Sequence, residues 1–168
     1  LGMYDTEACI VSQVAGGLWM PFGLHIQDKP LHFVLEKQTY DYYRKCMDEK
    51  KYKGLSYKPV YIIDAPNPIL EFCPPNLINY ETVKIDFGNG KLHEATHFTS
   101  ILIDGDIFLN ELYDEAKKKG VNFVQKDFKD ISDLCELSES HIFNCTGSYS
   151  SVLFNDSKIH PIVGHLLY

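Results

Sequence analysis

Three clusters in this 168-residue chain combine residue types and spacing that could do chemistry. His93-Glu94-Ala95-Thr96-His97 is a literal HExxH. On a helix its two imidazoles share a face and can hold Zn²⁺, with Glu94 as general base. In a strand the same histidines stand roughly 13 Å apart, too far for one ion. The second cluster is Val14-Ala15-Gly16-Gly17-Leu18-Trp19-Met20-Pro21-Phe22. Its glycine pair lets the backbone pass close to a ligand because no Cβ blocks the approach, and Trp19 and Phe22 can supply a flat apolar wall. In the third, the apolar run His141 to Cys145 enters a Thr146-Gly147 turn and then a small-residue segment that can begin a helix. α/β proteins bring backbone N–H groups to a phosphate in this way. Each cluster also has a plainer reading: a strand, a glycine turn beside a core tryptophan, and a strand–turn–helix connection.

The elements that must position these residues follow from periodicity and turn chemistry. Ala8 to Val14 is expected to be a short strand entering the Gly16-Gly17 turn, and residues 20 to 30 a loop. Phe33, Val34, Lys37, Tyr40, Tyr43 and Met47 mark an amphipathic helix over 31–50, closed by Gly54. Tyr57 to Asp64 is rich in β-formers and is ended by Pro66 and Pro68. Glu81 to Phe87 alternates polar and apolar residues, Gly88-Asn89-Gly90 signals a hairpin, and Leu92 to Ile103 suits the returning strand. His93 to His97 is therefore expected to be extended.

Asp104-Gly105-Asp106 precedes apolar residues at helical spacing and a lysine-rich end before Gly120. Beyond it, Val121 to Phe128 is expected as a strand, Ile131 to Leu137 as a short helix, His141 to Cys145 as a buried strand and Ile162 to Tyr168 as another. The composition changes at Asp104, the best internal boundary.

A hydrophobic content of 45% and an aromatic content of 13% place the chain among folded proteins rather than disordered ones. The net charge of −7 argues against nucleic acid as a partner. No apolar run reaches the ~20 residues that span a bilayer, and no signal peptide is present, so the expected location is cytoplasmic. Cys9, Cys46, Cys73, Cys135 and Cys145 are odd in number and lack CxxC spacing. They are expected to be reduced, mostly buried thiols. Asn144-Cys145-Thr146 and Asn155-Asp156-Ser157 match the glycosylation pattern; the first lies in an expected buried strand, where the match is coincidental.

The segment Val14–Phe22 and the stretch Gly120–His165, in this order and at this distance, resemble the D-amino-acid oxidase family of FAD-dependent oxidoreductases. Pro161-Ile162-Val163-Gly164-His165 falls where that family has a Pro, Arg, Gly, Gln run. The resemblance covers nearly the whole chain and is strongest near 14–22 and 99–165. It implies a mixed α/β fold: part of an FAD/NAD(P)-binding-type domain interrupted by a β-rich substrate lobe. Residues 1–30 would belong to the FAD-binding domain with its flavin-facing loop, 31–104 to the β-rich lobe, and 105–168 to the returning FAD-binding domain.

The resemblance further assigns Ser12, Gly16, Gly17 and Leu18 to the flavin, and Phe128, Cys145, Thr146 and Gly147 to the dinucleotide. Met20 and Phe22 fall at the edge of the substrate pocket. The implied reaction is oxidation of an amine or amino acid by hydride transfer to flavin, with an imino product. Val163 replaces the family's usual arginine, His165 its glutamine, and Asp5 a flavin-contacting arginine; these changes bear on phosphate binding. No GxGxxG loop is present, since Gly88-Asn89-Gly90-Lys91-Leu92-His93 lacks the third glycine and sits in a hairpin. The family's catalytic tyrosine and substrate-carboxylate arginine match no position here, so no catalytic residue is carried over.

By this reading the chain is an internal portion of such an enzyme, lacking the glycine loop and the second half, inactive alone and weak or silent toward FAD. Its partners would be a small amine or amino-acid substrate and, through sheet edges left open, either itself or a complementary segment. Two other classes stay open. One is a non-catalytic binding or assembly domain derived from the same family; the other is a zinc hydrolase using His93, Glu94 and His97.

Overall fold

The computed structural model describes residues 11–20, 28–63, 73–74 and 76–159. The chain divides after Lys119 into two compact units, Leu1–Lys119 and Gly120–Tyr168. It is mixed α/β, with a small antiparallel sheet of three strands.

In the first unit, α1 (Val11–Val14) is a single turn. The helix α2 (Lys29–Asp48) starts where Asp28 accepts a hydrogen bond from the Leu31 N–H at 3.0 Å, with Pro30 in its first turn. Strands β1 (Leu55–Ile63), β2 (Tyr80–Asp86) and β3 (Leu92–Ile103) lie in the order β1-β3-β2. Leu55 pairs with Ile103 at one end of β1, and Asp86 with Leu92 at the hairpin. Asp86 fixes that hairpin by accepting from the N–H groups of Gly88, Asn89 and Gly90 at 2.9, 3.0 and 3.1 Å. Pro59, which cannot donate to a ladder, is tolerated because β1 is an edge strand. The helix α3 (Gly105–Lys118) is capped by Asp104, carries Asp106 in its first turn, and ends in Lys117 and Lys118.

Among the described residues the core has two parts. Tyr40, Cys46, Tyr52, Leu55, Ile101 and Phe108 form one cluster, and Cys73, Ile78 and Phe98 another. Trp19 packs against both. Its ring lies 4.8 Å from that of Tyr40, so the tryptophan is a core residue as well as a wall.

The second unit is built from turns. A 3-10 helix, Ile131–Glu136, is closed by Asp130 and Asp133 in a reciprocal capping box. A 3-10 turn, Gly147–Tyr149, leads into α4 (Ser150–Leu153).

Several expectations are corrected. Val11 to Val14 is helical, closed by the Ala15 N–H on the Val11 carbonyl at 2.9 Å; Ala8 to Ile10 lie outside the described residues. A four-residue apolar pattern does not separate a strand from a helical turn, and docking of this turn on α3 decides it. Val121 to Phe128 and His141 to Cys145 form no strand, because a strand needs a hydrogen-bonding neighbour and none lies beside them among the described residues. Phe143 is 89% exposed and Val124 75%. Cys145 is accordingly exposed, as is Cys135, while Cys46 and Cys73 are buried. The buried stripe of α2 runs through Glu36 and Tyr40, with Val34 outside it and half exposed. The expected strand Ile162 to Tyr168 lies outside the described residues, as do Cys9 and the departures at Asp5, Val163 and His165. No helix among the described residues is long and apolar enough to cross a membrane.

Candidate functional site

β2 stops at Tyr80, opposite Phe98, and leaves the last residues of β3 without that neighbour. The Gly17–Trp19 loop takes its place. Ile103 N–H donates to the Gly17 carbonyl and Trp19 N–H to the Ile101 carbonyl, both at 2.8 Å, around the bridge Leu18↔Leu102. In an antiparallel pair, the residue between two such bonds turns its own N–H and C=O the other way. Leu18 therefore presents its amide away from the sheet, whereas the Trp19 amide is spent on β3. Ser100, absent from the sequence-based site, pins the loop as well: its buried hydroxyl donates to the Trp19 carbonyl at 2.5 Å.

Gly17 is required for a reason the sequence did not show. Its φ is +60°, and a Cβ there would lie 1.9 Å from the Ile103 carbonyl oxygen. The missing side chain admits the protein's own strand rather than a ligand. Ser12 sits in α1, where its carbonyl is so close to Gly105 that a Cβ on that glycine would lie 2.2 Å away. Gln13 reinforces the contact by donating to Asp106 at 3.3 Å. Ser12 thus supports the loop through α3; Phe22 lies outside the described residues.

Beside the loop is a cavity of about 460 Å³. Gly17, Leu18, Trp19 and Met20 line one side; His32, Leu35, Glu36, Thr39 and Tyr43 of α2 line the other. Leu18 and Met20, assigned separately from sequence, share this cavity. His32 and Glu36 were missed because a search for apolar periodicity places charged residues on the solvated face. Their signal is the four-residue spacing His32, Glu36, Tyr40, which follows one helix face. His32 Nε2 stands 2.5 Å from Glu36 Oε1. Burial raises the Glu36 carboxyl above its ordinary range, partly offset by His32. Burial also pushes the Cys73 thiol up to about 11, with the Glu36 charge adding to it.

In the second unit, Asn144 Oδ1 accepts from the Thr146 N–H at 3.1 Å and from its hydroxyl at 2.8 Å, and Asn144 Nδ2 donates to Ser150 Oγ at 2.8 Å. Asn144 is therefore the pin of this turn, and Thr146 Oγ is engaged within it. Gly147 has φ +58°, and nothing lies within 4 Å of where its Cβ would be, so it presents bare backbone to open space. The Tyr149 hydroxyl donates to the Phe128 carbonyl at 3.2 Å, which brings Phe128 to the Thr146–Gly147 turn although no strand carries it there.

HExxH geometry is absent. His93 and His97 lie on β3, extended as expected. His97 Nδ1 is 3.0 Å from Glu81 Oε1, and its ring stacks on Tyr61 at 4.5 Å. No three metal-binding side chains gather among the described residues. The zinc hydrolase reading fails on this geometry.

Across 167 residues, 97% of its length, the chain is 26% identical to a D-amino-acid oxidase of Dictyostelium discoideum and covers 47% of that protein. A 79-residue stretch, 45% of the chain, is 34% identical to a D-amino-acid oxidase of Schizosaccharomyces pombe and covers 22% of it. No family model matches. The chain thus spans about half the length of the first relative and less of the second, and the two matches support a distant relationship to D-amino-acid oxidases.

Proposed function

We propose that the chain is part of a flavin-dependent oxidoreductase of the D-amino-acid oxidase type, acting on an amine or amino acid. The observation that carries this is the Gly17–Trp19 loop, pinned to β3 so that the Leu18 amide faces away from the sheet. By the resemblance, two groups of residues would hold an FAD. Gly16, Gly17 and Leu18 would meet the ring, with Ser12 behind them, and Phe128, Cys145, Thr146 and Gly147 would meet the dinucleotide with open backbone at Gly147. When bound, the flavin supplies two-electron chemistry, taking hydrogen from the substrate carbon that carries nitrogen. The chain's own residues hold the loop rigid, and Met20, with Phe22, bounds the substrate.

In this reading residues 1–30 and 105–168 would form the flavin-binding part around a 31–104 substrate lobe; the contact of Ser12 with Gly105 supports it for the segment that opens at Gly105. The test is purification of the native polypeptide without added cofactor, followed by a peroxide-release assay over D- and L-amino acids and simple amines. A bound yellow chromophore and turnover are expected; a colourless, inactive protein that FAD does not restore overturns the reading. The 168 residues alone hold no GxGxxG loop and are expected to bind FAD weakly or not at all. Saturable, stoichiometric binding by flavin fluorescence would contradict that.

A second reading, a non-catalytic assembly domain, is favoured by the exposed apolar residues Val121, Val124, Ile142 and Phe143. It expects concentration-dependent association in sedimentation, and a monomer at every concentration removes it.

A further inference from the structure

Asn89 is the only asparagine of the chain that precedes a glycine. It stands at the tip of the β2–β3 hairpin, exposed to solvent together with Gly90. An asparagine can react with its own backbone: the nitrogen of the next residue attacks the side-chain carbonyl carbon and closes a five-membered imide. A side chain on that next residue obstructs the closure, and glycine has none. Nothing lies within 4 Å of where a Cβ on Gly90 would be.

The hairpin holds both reacting groups. Asn89 Oδ1 accepts from the Lys91 N–H at 2.9 Å, an Asx turn that folds the side chain back over the peptide joining Asn89 to Gly90. The same bond polarises the carbonyl and meets the negative charge that its oxygen gains under attack. Asp86 Oδ1 accepts from the Gly90 N–H at 3.1 Å, so the proton that the nitrogen must lose already points at a carboxylate. Attack comes from above the peptide plane and leaves that in-plane bond in place. The departing amide is not held, since Asn89 Nδ2 has no hydrogen-bond partner among the described residues. Asn144 is the contrast: its Oδ1 and Nδ2 are both engaged, and a cysteine follows it.

We propose that Asn89-Gly90 is a self-modification site, at which the chain deamidates with the help of Asp86 and the Lys91 N–H. The Gly90 nitrogen forms a bond to Asn89 Cγ and passes its proton through Asp86 to the departing group. The Cγ–Nδ2 bond breaks and ammonia leaves. Water then opens the imide at either carbonyl, so that the only co-reactant is water. One opening leaves an ordinary aspartyl linkage. The other routes the main chain through the side chain and makes the turn a carbon longer. Both add a carboxylate beside Asp86, and the second disturbs the turn that sets the register of Asp86 with Leu92 and Ile85 with His93.

The test is to hold the purified chain for several weeks at neutral pH and body temperature, digest it, and follow the peptide containing position 89 by mass spectrometry. Electron-transfer fragmentation separates the aspartyl from the isoaspartyl product. Conversion at position 89 to both products is expected, with Asn110 and Asn144 unchanged. Asp86→Asn keeps an oxygen for the hairpin N–H groups but takes no proton, and should slow conversion about tenfold or more. Asn89→Gln, whose ring would have to be six-membered, should abolish it. The wild-type chain in guanidinium chloride, without the turn, should convert more slowly than the folded chain. No conversion at position 89 overturns the proposal whether or not the variants fold. Equal rates in wild type and Asp86→Asn, or faster conversion of the unfolded chain, overturn it as well, since the reactivity would then belong to the dipeptide and not to the hairpin.

Discussion

Residues 55–103 and residues 121–145 carry similar β-forming, apolar sequence and end in different states. The first stretch becomes three paired strands, with Ile101 fully buried. The second becomes irregular chain on either side of the 3-10 helix Ile131–Glu136, with Phe143 89% exposed. Propensity is comparable; the difference is a neighbour. β3 lies between two strands of its own chain, and its ladder and side-chain contacts stabilise every residue. Val121–Phe128 and His141–Cys145 have no paired neighbour among the described residues, and a lone strand gains neither.

The largest test of this contrast sets two phenylalanines against each other. Phe98 is 2% exposed between Cys73 and Ile78. Phe98→Ala is expected to cost about 3–5 kcal/mol through lost burial and the cavity it leaves. Phe143→Ala is expected to stay within about 0.5 kcal/mol. Calorimetric unfolding of both variants decides. A large loss from Phe143→Ala would mean that this ring is covered in solution, and the two regions would then not differ.

The same contrast explains what the sequence made legible. Helix α3, the hairpin and β3 were readable because caps, turn glycines and alternation are local signals whose partners lie nearby in the chain. The Gly17 loop was recognised, but its reason was not, since the clash with the Ile103 carbonyl joins residues far apart in sequence. His32 and Glu36 stayed hidden because charge on a helix normally marks the solvated face, and here it marks the cavity. In the second unit, Thr146 and Gly147 were found at a turn as expected. The pin that holds them, Asn144, was visible in sequence only as part of a glycosylation pattern.

A smaller effect separates the two left-handed glycines, Gly17 and Gly147. Both have positive φ, at +60° and +58°. An alanine at either strains the backbone by about 1–2 kcal/mol. At Gly17 the added carbon also meets the Ile103 carbonyl oxygen, whereas at Gly147 it meets nothing. Gly17→Ala is therefore expected to cost about 1 kcal/mol or more beyond Gly147→Ala, because the β3 ladder must shift or lose a bond. Urea unfolding curves give the comparison. Equal costs would show that the loop moves off β3 freely, and with it the fixed direction of the Leu18 amide.

The smallest effect is on pH dependence, and it opposes two glutamates of the first unit. Glu115 accepts from Lys119 at 2.7 Å and from the Tyr52 hydroxyl at 2.5 Å. The Lys119 hydrogen bond, then that of Tyr52, lowers its carboxyl from 4.5 to about 2. Its folded pKa is depressed, so its contribution is present above 4.5 and is lost as pH falls toward about 2. Glu36 has the opposite sign. Its folded pKa is raised, chiefly by burial, so stability present below 4.5 is lost as pH rises through the raised value. Glu115→Gln should lower stability at neutral pH, flatten the acid limb of a stability–pH profile and leave its most acid end nearly untouched. Glu36→Gln should do the reverse, raising stability at neutral pH by removing a buried charge that His32 alone approaches among the described residues. The prediction fails if Glu36→Gln is destabilising at neutral pH, for the carboxylate would then be satisfied within the fold by its contact with His32.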